Sequence, residues 1–226
     1  MREPQKPREG GHIICRGSRV QVPFPVQTWE TTGWQFHGRN RTHGRVIVQH
    51  WTGAENAPVN MYANMLNHTN VYKIAEPLSV HFAIDQMGLI YQLADTELKC
   101  VHTPGANAFS IGIEHIGRGS DLSKPAKGWE RERVTDTIHG HRVRYDNLLP
   151  AQIEASVRLN EALCALYGLP MRVPEDAAGK LLSTKLTDEQ ASVFRGCAGH
   201  LHFGIKNDPG LRLLQAIQER GRELAR

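Results

Sequence analysis

The stretch GHLHFGIKNDPG, Gly199 to Gly210, packs two imidazoles (His200, His202), one ammonium (Lys206) and one carboxylate (Asp208) into a short span. Glycine at both ends and a proline after the acid mark a loop that presents side chains rather than a buried strand. Histidine nitrogens and carboxylate oxygens are ligands for zinc, whose catalytic sites usually take three protein ligands and leave one position free. The close spacing favours two ligands from this loop and a third from upstream. The upstream candidate is His50 in RVIVQHWTG. There a β-branched run alternates so that Val46, Val48 and His50 share one face of a strand.

An HxH pair alone is weak, because 12 histidines in 226 residues guarantee some chance proximity. The weight comes from the conjunction with Lys206, two residues before Asp208, and with Glu114, which ends the apolar strand run in SIGIEHIG. Alone, Glu114 reads as a strand-end surface acid and Lys206 as a solvated lysine; beside a metal they read as proton carrier and charge stabiliser. His202, at a shorter spacing to Asp208, and Cys197, three residues before His200, stay open as further ligands.

Elsewhere, residues 1–11 hold prolines and charges and are expected to be disordered. Residues 1–44 read as an N-terminal extension, with a short strand at HIIC and with Trp29, Trp34 and Phe36 as anchors. From Ala54 to about His68, Met61, Met65 and Leu66 recur at helical spacing as core positions. LSVHFAID and LIYQLAD flank a Gln86-Met87-Gly88 turn as a hairpin, with His81 and Tyr91 structural. CVHTPG and AFSIGIEHIG supply two more strand-like pieces. The polar run from Arg118 to Leu149 reads as a lid or mobile loop, ERERVTD being a solvated face.

Helical patterning returns at Pro150, with Ile153, Val157, Leu163 and Leu166 on the apolar face and Gly168 as terminator. Thr187 with Gln190 spells a capping box, and a last helix is expected from Pro209. Strands mixed with helices in this order predict an α/β fold, a mixed central β-sheet flanked by helices in one domain.

The net charge of +4 is compatible with an anionic partner but is spread thinly, and no groove-reading motif supports nucleic acid binding. No segment reaches the length of a membrane span and no apolar run near the N-terminus resembles a signal peptide, so a protein made in the cytoplasm is expected. Cys15, Cys100, Cys164 and Cys197 lack CxxC spacing and are expected as free thiols.

From Arg45 to Glu219 the ordered motifs VIVQHWTG, SVHFAIDQMGLIYQL, VHTPGANAFSIGIEHIG and GHLHFGIKNDPG resemble the zinc-dependent N-acetylmuramoyl-L-alanine amidases of the type 2 amidase fold. That group includes phage endolysins and peptidoglycan recognition proteins. The resemblance implies a zinc amidase domain over 45–226, with zinc on His50, His200 and Asp208, Glu114 and Lys206 as catalytic groups, and His102 and Asn107 binding substrate. The bond implied joins the lactyl group of N-acetylmuramic acid to L-alanine in peptidoglycan or a muropeptide, and a monomer is expected. The eight-residue interval from His200 to Asp208 is like that of the lytic and recognition-type members, whereas the Lys-x-Asp order is like the cytosolic recycling members. A lytic endolysin leads; a muropeptide-recycling amidase and a non-catalytic peptidoglycan-binding protein are the alternatives.

Overall fold

Val46–Trp51 forms a strand because five of its six side chains are buried, on both faces, in a run rich in β-branched residues. It lies near one edge of the sheet that organises the molecule. The computed structural model describes residues 10–40, 44–72, 77–123 and 126–226. The expectation of disorder at the extreme N-terminus falls mostly on residues 1–9, outside the described residues.

In chain order the strands are β1 (Gly11–Cys15), β2 (Ser18–Val22), β3 (Val26–Thr28), β4 (Arg39–Asn40), β5 (Val46–Trp51), β6 (Phe82–Ile84), β7 (Ile90–Gln92), β8 (Leu98–Lys99), β9 (Ser110–His115), β10 (Arg133–Ile138), β11 (His141–Asp146) and β12 (Gly196–Gly199). The helices are α1 (Trp29–Thr32), α2 (Pro58–Tyr72), α3 (Pro150–Tyr167), α4 (Asp188–Val193) and α5 (Arg212–Leu224). Six strands make the central sheet in the order β12-β5-β9-β6-β7-β3. β12, β5, β9 and β6 run parallel, β7 runs antiparallel to β6, and β3 joins parallel to β7. Residues before Arg45 thus build the outer strand of this sheet, while β1 and β2 form a separate hairpin.

The strands are two-faced. Ile47, Ile111 and Ile113 pack with Leu159 and Leu163 of α3 and Leu213, Leu214 and Ile217 of α5. Burying each such side chain contributes about 1.5–3 kcal/mol. On the opposite face Val46, Val48 and Ala198 meet Leu186 and Phe194, and Ala83 meets Met61 of α2 and Phe36. The expected hairpin is β6–β7. Trp34 stacks between Tyr62 and Tyr91, as an anchor would.

Several expectations need correction. α2 starts at Pro58, whose missing N–H suits a first helical turn, not at Ala54, and Leu66 on it is exposed. α5 starts at Arg212; Asp208 and Pro209 make a turn before it, closed by the Gly210 N–H on the Asn207 carbonyl. CVHTPG is a turn, not a strand. The supposed lid between Arg118 and Leu149 carries the hairpin β10–β11. Its turn is His139-Gly140, both at positive φ (52° and 79°), the two-residue geometry that suits strand twist. Val134, Ile138 and Tyr145 point inward and are buried, and of the charges of ERERVTD the Arg131 side chain is buried too, paired with Glu55, so the stretch is not simply a solvated face. On α3 the most buried positions include a polar row, Gln152, Ser156 and Asn160. Ser156 Oγ donates to Gln49 Oε1 (3.2 Å) and Gln49 Nε2 donates to Asn160 Oδ1 (2.9 Å), pinning β5 to the helix.

Candidate metal centre

Three parallel strands, β12, β5 and β9, end at one edge of the sheet, where open α/β sheets place their ligands. His50 is next to last in β5 and Glu114 next to last in β9; the register sets them side by side. In-register neighbours on parallel strands point to one face. β12 leads straight into a short 3-10 turn, His200–His202, and the loop that returns through Asp208. Residues 150 positions apart in the chain therefore meet.

His50 Nδ1 lies 3.1 Å from His200 Nδ1 and 3.2 Å from Asp208 Oδ2, and His200 Nδ1 lies 3.0 Å from the same Oδ2. Three atoms that can each offer a lone pair, two imidazole nitrogens and a carboxylate oxygen, converge at the corners of a small triangle. A cation can satisfy them. With bonds of about 2.0–2.1 Å, tetrahedral coordination spaces its ligand atoms by about 3.3 Å, which is close to these edges. The donor set fits a divalent metal. Among the described residues these three are the only cluster of potential ligands of this kind.

The electrostatics agree. Burial alone raises the Asp208 carboxyl, but hydrogen bonds and charge from His200 and His50 overcome it and hold the group well below the usual range. Burial pushes the His50 imidazole down, against the opposing pull of Asp208. Both groups are thus held in their ligating forms. Glu114 behaves oppositely: burial, then the Asp208 carboxylate, push its carboxyl well above the usual range. Among the described residues its Oε2 finds no hydrogen-bond partner.

These groups line a cavity of about 430 Å³ that also includes Lys206, His102 and the apolar Met65, Val101 and Phe203. A larger cavity, about 600 Å³, opens between α3 and α5. It lacks a convergent ligand set among the described residues, so the smaller one is the candidate site.

Of the other residues singled out in the sequence, Lys206 is on the cavity rim, exposed, with its carbonyl accepting from His139 Nε2 at 2.9 Å. Asn107 turns inward: its Oδ1 accepts from the backbone N–H groups of His102 (3.0 Å) and Thr103 (2.7 Å). His102 is buried and both of its ring nitrogens have protein partners. Nothing in the linear order of HTPGAN signals those partners. His202 is turned away from the triangle; its Nδ1 accepts from Gly199 N–H (3.0 Å) and its Nε2 donates to the Leu182 carbonyl (2.8 Å). It is not a ligand. Nor is Cys197, whose sulfur faces Cys164 Sγ at 3.7 Å in the core beneath the sheet. All four cysteines are free thiols.

Among solved structures, the chain is similar to the Ph2119 endolysin from the Thermus scotoductus MAT2119 bacteriophage (TM-score 0.52, 16% identity, 87% of this chain and 99% of that one). It is also similar to the endolysin amidase LysCS from Clostridium intestinale URNW (TM-score 0.51, 16% identity, 84% and 88%). Drosophila peptidoglycan recognition protein SD aligns with a TM-score of 0.50 at 16% identity over 86% and 94%. At these identities the likeness speaks for the fold. A comparison with curated proteins finds no match. Among the described residues no helix is long and apolar enough to cross a membrane. The model of the N-acetylmuramoyl-L-alanine amidase family matches residues 40–211, three quarters of the chain and every element of the centre, and the protein belongs to that family.

Proposed function

We propose that the protein hydrolyses the amide between the lactyl group of N-acetylmuramic acid and L-alanine in peptidoglycan, using zinc held by His50, His200 and Asp208. The observation that carries this reading is a buried carboxyl, Glu114, with an oxygen that has no partner among the described residues, in the same cavity as three converging ligand atoms. Zinc in such a site supplies Lewis acidity to the scissile carbonyl and makes a water easier to deprotonate. Glu114 takes the proton of the attacking water and returns it to the departing amine nitrogen. A carboxyl whose affinity for protons is raised by its surroundings suits that second step near neutral pH. Lys206, on the rim, places an ammonium where the carbonyl oxygen gains charge. Met65, Val101 and Phe203 exclude water and offer an apolar wall to the small methyl groups flanking this bond.

The substrate we assign is the intact wall, in the manner of an endolysin. Metal analysis together with turbidity loss on purified sacculi, against release of peptide from soluble anhydro-muropeptides, tests both parts. Asp208→Ala is expected to lower zinc occupancy. Glu114→Ala is expected to keep zinc and lose about 10²–10⁴-fold in turnover. Equal activity in all three proteins would remove the roles assigned; activity on soluble fragments alone would make the protein a recycling enzyme.

A further inference from the structure

One buried histidine is tied to the triangle by a hydrogen-bond chain with a fixed direction. Ser110 Oγ donates to the Ala106 carbonyl at 2.8 Å, and a carbonyl can only accept. With its proton committed, Ser110 Oγ accepts from His102 Nε2, 3.2 Å away. His102 therefore carries its proton on Nε2 and offers a lone pair at Nδ1. That lone pair faces Thr103 Oγ1 at 2.8 Å and His50 Nε2 at 3.0 Å, and Thr103 Oγ1 itself lies 3.2 Å from His50 Nε2. If the Thr103 hydroxyl donates to His102, its own lone pair accepts from His50. A Thr103 proton turned toward His50 Nε2 instead would leave the buried His102 lone pair with no donor, so His50 Nε2 is the donor. His50 Nδ1, the atom turned toward His200 and Asp208, is left as a bare lone pair.

We infer that His102 is a positioning residue for the cation: together with Thr103 and Ser110 it holds His50 in the tautomer whose Nδ1 is free to ligate. A second feature of the fold supports this. A Cβ on Gly112 would come within 2.7–2.8 Å of three His102 ring atoms, so β9 carries glycine where the imidazole must lie flat against it. The ring is thereby seated edge-on to His50, the two planes 88° apart. Partners of this kind fix the orientation and basicity of a ligating histidine, and their loss typically costs about 10–100-fold in metal affinity.

The inference rests on the zinc reading above, and its test separates the two. In the cation-free protein, long-range proton–nitrogen spectra of the imidazoles should show the His50 proton on Nε2. A proton on Nδ1 overturns the inference whatever any variant does. Chelator-competition titration then compares zinc affinity across His102→Asn and His102→Leu. Asn keeps an acceptor oxygen where Nδ1 lies and should stay within about threefold of the parent, whereas Leu should weaken zinc about 10–100-fold. Equal affinity in the two variants overturns the inference while leaving the zinc centre intact. A parent protein that takes up no zinc overturns the metal reading, and the tautomer spectrum still decides the relay.

Discussion

Two buried charge clusters lie on this fold, and they differ in how much hydrogen-bonding capacity is left over. In the first, Arg131 meets Glu55, with side chains 1% and 0% exposed. Its Nε and Nη2 donate to the two Glu55 oxygens, its Nη2 also to the Ile116 carbonyl, and its Nη1 to the Asn147 carbonyl and Gln152 Oε1. Gln86 Nε2 adds a bond to Glu55 Oε2. Every guanidinium N–H is used, and the cluster anchors the segment that leads into β10. In the second, His50, His200 and Asp208 bring three potential lone pairs to one point, and among the described residues Glu114 Oε2 has no partner. Burial and charge are common to both. Unspent bonding capacity marks the site, and its absence marks a structural fastening.

The largest test of that contrast is Arg131→Met. It leaves Glu55 buried and alone, so a loss of about 3–5 kcal/mol in urea unfolding is expected, with zinc affinity of the folded fraction unchanged. The double change Arg131→Met with Glu55→Leu should recover most of it, and a single-variant loss under about 1 kcal/mol would break the comparison.

Acid should act through buried imidazoles, which the Arg131–Glu55 cluster lacks. His115, whose Nδ1 donates to the His50 carbonyl at 2.7 Å, and His202 are both pushed by burial down to about 4. Their folded values lie below the unfolded value of about 6.5, so the unfolded chain binds more protons between those limits. Their stabilising contribution is complete above about pH 6.5 and drains as pH falls, by up to about 3 kcal/mol each near pH 4. A thermal midpoint of the cation-free protein that stays flat from pH 7 to 4.5 would contradict this. The smallest effect should come from the rim. Lys206→Met is expected to lower turnover about 10²-fold with no change in unfolding midpoint. Any comparable loss of stability would make Lys206 part of the scaffold instead.

Much of this was legible from the residues because the signals were local. β-branched alternation located β5 and with it His50; SIGIEHIG located β9 and Glu114; Thr187 and Gln190 marked α4 by the capping box that the structure contains. The family resemblance drawn from four motifs agrees with the match over residues 40–211. What escaped depended on distant partners. The hairpin β10–β11 hid because Arg133, Arg142 and Arg144 dominate its composition, although VTDTI-HG-HRVRYD carries the alternation and a two-residue turn. Arg131 looked solvated, since no linear pattern announces Glu55 76 residues away. Gln152, Ser156 and Asn160 fell on the face of α3 that polarity assigns to solvent, and only distant partners explain their burial: Gln49 for Ser156 and Asn160, Arg131 and the Ile84 and Ile116 carbonyls for Gln152.

The pairing of β12 with β5 has a consequence for the order of events in the cell. A chain emerging from the ribosome exposes His50 long before His200 and Asp208 are synthesised, and β12 must then dock beside a strand made much earlier. Truncated or stalled products therefore possess Glu114 and one imidazole of the triangle but neither His200 nor Asp208, and the three side chains can meet only once translation has passed residue 208.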